Sequence, residues 1–366
     1  MTRLTLHVGH PKTGTTALQS VLFANAETLL EKGSVLYPTQ TKPVKIKHAL
    51  AIPWLLGVEY EAVRRSAHAS DDKLTEISQE FWQAITTEIA AKQPEHLILS
   101  AEGFWVLRKA SEAKRATFKE TINAIATHVA VAGYLKSPAP YFTSMINQKL
   151  RNFREVQLPK RNFYRASMQA WEGMGFDDYQ WRIFDRRCLV NQDIIDDFCA
   201  HHLPAPLSSQ DLNREGVEDA NSSVSNEALV ILEELANNYP DLQQNIYDHR
   251  RYKVVDILRE ADAQVGGRSR PCLTEAAAAA IVARCDDLTW LLERGLSFPD
   301  LDPALINAAN PPVLERFTGV ADFCPVDSDR LASLRSCAME RIDQLFKPRS
   351  RRSFWPFKAL RGLRAR

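Results

Sequence analysis

A strand, a glycine-bounded loop and a helix follow one another within Leu4–Ser20, which reads LTLHVGHPKTGTTALQS. Apolar residues at alternate positions predict a strand that ends at Gly9. The helix after the loop carries its apolar residues on one face. Backbone N–H groups in the first turn of a helix have no partner within it, and the helix dipole adds partial positive charge there. The stretch therefore predicts an anion site at the end of the first strand.

The residues of this loop narrow the choice of anion. The nucleotide P-loop reads GxxxxGK[ST], so its lysine follows the second glycine directly. Gly9 and Gly14 have the P-loop spacing, but Thr15 occupies the lysine position and the lysine lies inside the loop as Lys12. A P-loop kinase or another NTPase would need a lysine after Gly14 and an acidic residue for its metal ion. Glu102 is the residue that could imitate that acid.

The pattern Pro-Lys-Thr-Gly-Thr-Thr of residues 11–16 resembles the phosphosulfate-binding loop of sulfotransferases that use 3′-phosphoadenosine-5′-phosphosulfate (PAPS). In that family the lysine contacts the bridging oxygen and the sulfuryl group, and Gly-Thr-Thr binds the 5′-phosphate. The resemblance implies a catalytic role for Lys12. It also implies that a run of consecutive loop residues binds PAPS: His10, Pro11, Lys12, Thr13, Gly14, Thr15 and Thr16. A solvated glycine loop without a ligand is the alternative interpretation.

A second motif follows the predicted strand His128–Leu135. Lys136 lies at the end of this strand, and Ser144 lies eight residues further on, in the next predicted helix. An Arg and a Ser at this spacing hold the 3′-phosphate of PAPS in the sulfotransferase family, and the resemblance implies that role for Lys136 and Ser144. The lysine keeps the positive charge of the arginine but lacks its two-pronged hydrogen bonding to phosphate. A solvated lysine near a helix N-terminus is the alternative.

The fold class follows from the alternation of strands and helices, which predicts an α/β fold with a parallel sheet covered on both faces. The resemblance implies more narrowly a P-loop-like sheet flanked by helices, with a helical C-terminal extension. It covers about residues 4–300, with specific motifs at 7–19 and 134–148. Ligands of such sheets bind beyond the carboxyl ends of the strands, where both motifs are predicted to lie.

The expected domain organisation has two parts. A sulfotransferase domain covers residues 1–325, with an α/β core to about residue 205 and a helix-rich extension over about 206–325. Residues 326–366 form a C-terminal helix and a basic tail. Within the core, a single first helix is predicted from Gly14 to about Lys32, with Gly33 as its stop signal.

Transfer to a hydroxyl requires a base, and two residues are candidates. The family uses a His or Glu near the end of a central strand between the two cofactor motifs. Glu102 follows the predicted strand His96–Ser100, so the resemblance implies that it is the base. His48, in a segment without clear periodicity, is the other candidate. In the simpler interpretation, Glu102 stabilises a helix N-terminus by a few tenths to about 1 kcal/mol.

The expected reaction is sulfuryl transfer from PAPS to an acceptor hydroxyl of a carbohydrate or glycan. It resembles phosphoryl transfer, in which a loose, in-line transition state places charge on the leaving oxygen. Lys12 would neutralise that charge, and 3′,5′-adenosine bisphosphate would be the second product. No metal is expected, because a sulfuryl group carries less charge than a terminal phosphate. Besides the NTPase, a non-catalytic nucleotide-binding protein at the membrane is an alternative.

The composition restricts the partners and the compartment. The chain has 366 residues, of which 45% are hydrophobic and 25% charged, as in ordinary globular proteins. A net charge of +1 argues against nucleic acid as a partner. Six widely spaced cysteines predict free thiols rather than a zinc site or a disulfide framework. The absence of a signal segment and of a long apolar run favours a cytoplasmic location.

The basic C-terminal segment raises one further possibility. Eight Lys and Arg residues follow Asp343 and no acidic residue does. Within 354–366 apolar residues recur every three positions beside the basic ones. Peripheral contact of 348–366 with the inner, anionic face of a membrane is one interpretation. A disordered basic tail is the other.

Overall fold

Five parallel strands form the centre of the molecule, in the order β2-β3-β1-β4-β5. The computed structural model describes residues 2–39, 47–52, 70–161, 164–215, 223–244, 248–267, 270–302, 306 and 314–347. The strands are β1 (Arg3–His7), β2 (Val35–Leu36), β3 (His96–Ser100), β4 (His128–Leu135) and β5 (Asp178–Ile183). The prediction of an α/β fold with a parallel sheet is confirmed.

Helices cover both faces of this sheet. They are α1 (Thr15–Ala24), α2 (Ala26–Gly33), α3 (Asp71–Lys92), α4 (Glu112–Ile125), α5 (Pro138–Arg151), α6 (Arg165–Glu172) and α7 (Ile194–His202). A 3₁₀ helix at Glu102–Lys109 follows β3, and short 3₁₀ turns lie at Arg186–Cys188, Val190–Gln192 and Ser209–Asp211.

Strand β3 is apolar on both faces, because each face packs against helices. In β3, Leu97 and Leu99 point into a core cluster that includes Leu4 and Leu6 of β1. Ile98 points the other way, into a cluster that includes Leu18 of α1. Successive strand side chains alternate between the two faces, so β3 contributes to two separate parts of the core.

The first helix differs from its prediction, because it divides at Asn25 into α1 and α2. The Asn25 side-chain amide donates to the carbonyl oxygens of Val21 and Asn213, each over 2.8 Å. The Asn213 N–H donates in return to Asn25 Oδ1 over 2.8 Å. A side chain that bonds the main chain in this way competes with the helix, and the partner near residue 213 was not apparent in the local pattern.

The helix-rich extension has its own apolar core. Its helices are α8 (Asn226–Asn238), α9 (Pro240–Gln244), α10 (Arg250–Val265), α11 (Glu275–Ala283), α12 (Leu288–Glu293) and α13 (Val320–Phe323). The C-terminal helix α14 (Ser328–Phe346) packs into the same core. Phe142, Ile146 and Leu150 of α5 pack into this core, together with residues of α8, α10 and α14. Helix α5 is therefore the element against which the extension packs.

The strand order determines where a ligand can bind. From β1 the chain continues to β2 at one edge of the sheet, and from β4 it continues to β5 at the opposite edge. A crevice forms at such a switch point, between the carboxyl ends of the two neighbouring strands. The loop after β1 and Lys136 after β4 both lie at this crevice, as the sequence predicted.

Two of the predictions concern segments that lie wholly or largely outside the described residues. The basic segment 348–366 is outside them, so its contact with a membrane stays a prediction. Most of residues 39–70, the segment without clear periodicity that contains His48, is also outside them, although His48 itself is described. Among the described helices, none combines the length and the apolar composition needed to cross a membrane. The division into domains also stays a prediction.

Candidate functional site

The loop between β1 and α1 is held in a tight curve by two left-handed residues. Lys12 and Gly14 both have a φ of 72°. A Cβ at Gly14 would lie 3.2 Å from side-chain atoms of both Ile194 and Phe184, so glycine suits this position for two reasons. Lys12 has a side chain, and the left-handed conformation costs such a residue about 1–2 kcal/mol. Strain of this kind clusters at functional sites, although it also occurs at helix ends such as Gln93.

Two buried threonines fix the shape of the loop from inside. Thr13 Oγ1 donates to the carbonyl oxygen of His10 over 2.7 Å and lies 3.4 Å from Thr15 Oγ1. A Cβ at Gly9 would lie 2.8 Å from Thr15 Oγ1, so the absence of a side chain there lets the loop close. Thr16, in contrast, is exposed in the first turn of α1. Of the consecutive threonines Thr15 and Thr16, Thr16 is therefore the one whose side chain is open to a ligand.

The first turn of α1 is open to an anion. Gly14 precedes the helix and no side chain of the described residues caps it. The first turn also contains no acidic residue. Its N–H groups and the positive end of the helix dipole thus remain available to a phosphate or sulfate.

Lys12 lies in the loop two residues before Gly14, the residue that precedes α1. Burial lowers its pKa, the negative charge of Glu102 opposes that effect, and the positive charge of Arg151 adds to it. Within the described part of the chain, its Nζ makes no hydrogen bond and no ion pair. A half-buried cation without a partner is unfavourable by itself, and a bound anion would remove the penalty.

The Lys136 and Ser144 side chains meet as the sequence predicted. Lys136 Nζ donates to Ser144 Oγ over 2.9 Å, and Ser144 Oγ donates to the Pro140 carbonyl oxygen over 2.9 Å. Burial, together with the charge of Lys12, lowers the pKa of Lys136 to about 8. The two lysines therefore lie close enough for their charges to repel. The structure brings both predicted anion motifs to one place.

His10 is placed among aromatic rings. Its ring centroid lies 4.6 Å from that of Tyr141, 5.2 Å from Trp105 and 5.4 Å from Tyr164. Burial, aided by the charge of Lys136, lowers the pKa of His10 to about 3. A neutral imidazole can still donate one hydrogen bond, but it adds no charge to the site. Pro11, the next residue of the loop, is half-buried.

Glu102 lies at the same crevice. It is the first residue of the 3₁₀ helix after β3, and its side chain is half-buried. Its negative charge acts on Lys12 and also raises the pKa of Tyr141, after the larger effect of burial on that group. Its carboxylate has no hydrogen bond or ion pair among the described residues. It is therefore free to accept a proton from a bound hydroxyl.

The geometry gives His48 a structural role and does not support its prediction as a base. Its Nδ1 accepts the Ser100 backbone N–H over 2.8 Å, and its Nε2 donates to the Pro38 carbonyl oxygen over 3.0 Å. Burial lowers its pKa to about 4, against a smaller opposing effect of the Pro38 hydrogen bond. Both ring nitrogens are thus used in joining this segment to β3.

A cavity of about 240 Å³ lies next to Lys12, between α5 and α10. Gln148 and Arg151 line it from α5, and Tyr252, Asp256 and Arg259 line it from α10. Arg151 is a candidate site residue that lies outside the two sequence motifs. A signal was present, because positions 144, 148 and 151 share one face of a helix. The sequence carries no such signal for Arg259, because only the packing of α10 against α5 brings this residue to the cavity.

Comparisons of the chain with protein-family models, with curated proteins and with solved structures each gave no match. The inference of function therefore rests on the motifs and on this geometry. Among the described residues, no group of three or more His, Cys, Asp or Glu side chains could hold a metal ion.

Proposed function

We propose that this chain is a PAPS-dependent sulfotransferase that acts on an acceptor hydroxyl, such as that of a carbohydrate or glycan. The observation that carries the proposal is the half-buried ammonium of Lys12, which has no partner among the described residues and belongs to the loop that leads into the open first turn of α1. A kinase-type P-loop would carry this charge one position after Gly14, where the chain has Thr15. The displaced lysine supports a sulfuryl donor over a nucleoside triphosphate.

The donor has two anionic ends, and the site offers a separate cationic group for each. The first turn of α1 with Lys12 suits the phosphosulfate. Lys136 and Ser144, joined over 2.9 Å, suit the 3′-phosphate. The strand order supports the same assignment. In the P-loop-like fold expected here, the first motif follows a central strand, and the second motif follows a strand next to it. Lys136 follows β4, the strand paired with β1.

The chain would promote the transfer through charge and position. In the reaction the acceptor oxygen bonds to sulfur as the bond from sulfur to the 5′-phosphate oxygen breaks. Lys12 would stabilise the negative charge that develops on that oxygen. Glu102 would accept the hydroxyl proton, since its carboxylate is unpaired among the described residues and lies near Lys12. His10, buried and neutral, would orient the loop and offer one hydrogen bond.

Binding of 3′,5′-adenosine bisphosphate without metal tests the proposal most directly. We expect this product to raise the melting temperature. At a concentration one hundred times its Kd, binding adds about 2.7 kcal/mol to the free energy of unfolding. Adenosine 5′-monophosphate is the matched control ligand, because it lacks the 3′-phosphate for Lys136 and Ser144, and it should stabilise less. Stabilisation by ATP with Mg²⁺ but not by the bisphosphate would favour the NTPase alternative and contradict the proposal.

The affinity for the bisphosphate should depend on pH through Lys136. Its pKa of about 8 means that the ammonium is charged below this pH and loses its proton above it. Affinity should therefore be level from about pH 7 to 8 and then fall by up to about tenfold per pH unit. In Lys136→Arg the guanidinium stays charged throughout, so the fall should be smaller. Titration calorimetry up to about pH 9.5 measures this, and identical pH profiles for both proteins would contradict it.

A further inference from the structure

Two arginines from different parts of the fold converge on the cavity beside Lys12. Arg151 is the last residue of α5, and Arg259 lies in α10 of the helical extension. Both line the cavity. They are near enough for the positive charge of Arg259 to act on Arg151.

The cavity has an excess of positive charge. Its charged lining residues are three cations, Lys12, Arg151 and Arg259, and one acid, Asp256. Asp256 Oδ1 lies 3.4 Å from Arg259 Nη1, and its side chain is 63% exposed, so it neutralises little of this charge. The Arg151 guanidinium has no hydrogen bond or ion pair with any described residue. The charge of Asp256 also reaches Arg151, but the three cations of the lining outnumber this one carboxylate, and the excess favours a bound anion.

This anion site is distinct from the one at Lys136 and Ser144. Arg151 lies seven residues beyond Ser144 on α5, which is about 10 Å along the helix axis. A single phosphate at Ser144 would therefore not be shared with the arginine pair. The cavity also borders Tyr252, whose aromatic side chain is 66% exposed. An exposed ring beside cationic groups suits an organic molecule with an anionic substituent better than a free inorganic ion.

We infer that Arg151 and Arg259 form a second anion subsite, which holds a carboxylate, sulfate or phosphate group of the acceptor. The acceptor is then an anionic hydroxyl compound, such as an acidic saccharide. This inference rests on the proposed sulfotransferase function, in which Lys12 lies between the donor and the cavity. The 3′-phosphate of the donor is the other source of an anion here, and the experiment separates the two.

The test uses the full chain saturated with 3′,5′-adenosine bisphosphate and titrated with inorganic sulfate as the probe. The wild-type protein should bind sulfate saturably on top of the bisphosphate. Arg151→Gln and Arg259→Gln should each weaken sulfate binding by about 10- to 100-fold, as expected for charge-assisted hydrogen bonds. Neither substitution should change the affinity for the bisphosphate. Lys149→Gln is the matched control, because it removes a cation from α5 that does not line the cavity.

Folding is not expected to limit this test, since removing one of two neighbouring like charges relieves repulsion. Arg151→Lys keeps the charge and should recover part of the sulfate binding. Equal sulfate binding in wild type and both glutamine variants, or none in wild type, would overturn the inference. A parallel loss of bisphosphate affinity would assign the pair to the donor and overturn it too, with the sulfotransferase proposal intact. If the protein binds sulfate through the two arginines but does not bind the bisphosphate, the anion subsite is supported and the proposed function is contradicted.

Discussion

The Lys12→Gly variant is expected to lose about 100- to 1000-fold in the rate of sulfuryl transfer, the usual cost of removing one transition-state charge contact. Its stability is expected to stay the same or to rise. Lys12 has a φ of 72°, which glycine adopts without strain. The relief of that strain offsets the extra flexibility that glycine adds to the unfolded chain. Loss of the half-buried ammonium also removes a desolvation penalty.

The opposite signs of these two effects identify a functional residue. A structural lysine would lower stability and activity together when replaced. Steady-state kinetics with PAPS and thermal unfolding measure the two quantities on the same protein. Gln93→Gly is the matched control, because Gln93 is the residue directly after α3 and has a φ of 45°. It should gain stability for the same backbone reason and keep full activity. A Lys12→Gly variant that retains wild-type kcat would contradict the catalytic assignment.

The Glu102→Gln variant is expected to lower kcat by about 100- to 10,000-fold, the range typical of a lost general base. Glutamine keeps the size of the side chain and its place at the start of the 3₁₀ helix, but it cannot accept the proton. Affinity for 3′,5′-adenosine bisphosphate should be unchanged or slightly higher, because a negative charge near Lys12 is removed. A fall in kcat with intact product binding would separate proton transfer from donor binding.

Glu112→Gln is the matched control for this variant. Glu112 also lies in the first turn of a helix, α4, and its side chain is exposed. If Glu102 merely stabilises a helix N-terminus, both substitutions should cost a few tenths to about 1 kcal/mol of stability and leave kcat alone. An unchanged kcat and pH–rate profile in Glu102→Gln would therefore reject it as the base.

Local pattern was sufficient for most elements around the site. Strand β1 has apolar residues at alternate positions, and β3 and β4 are short, largely apolar runs. All three form where the sequence predicts them, to within one or two residues. Helix α3 has local signals as well, because its apolar spacing and its Ser70 cap both lie in one short segment of the chain. The loop at residues 9–16 and the pair Lys136 and Ser144 were recognisable for the same reason: their spacing is encoded over a few neighbouring residues.

Contacts between distant residues required the tertiary structure. The Asn25 side chain divides the first helix partly through a hydrogen bond to Asn213, which no local pattern contains. His48 was a plausible base by residue type, yet its bonds to Ser100 and Pro38 occupy both nitrogens. The convergence of Arg259 with Arg151 depends on how the extension packs against α5. The loop between β1 and α1 can be read from the sequence, because a strand, a turn and a helix N-terminus are local features. Which charges face that loop depends on the tertiary structure, because packing brings together residues that are remote in the chain.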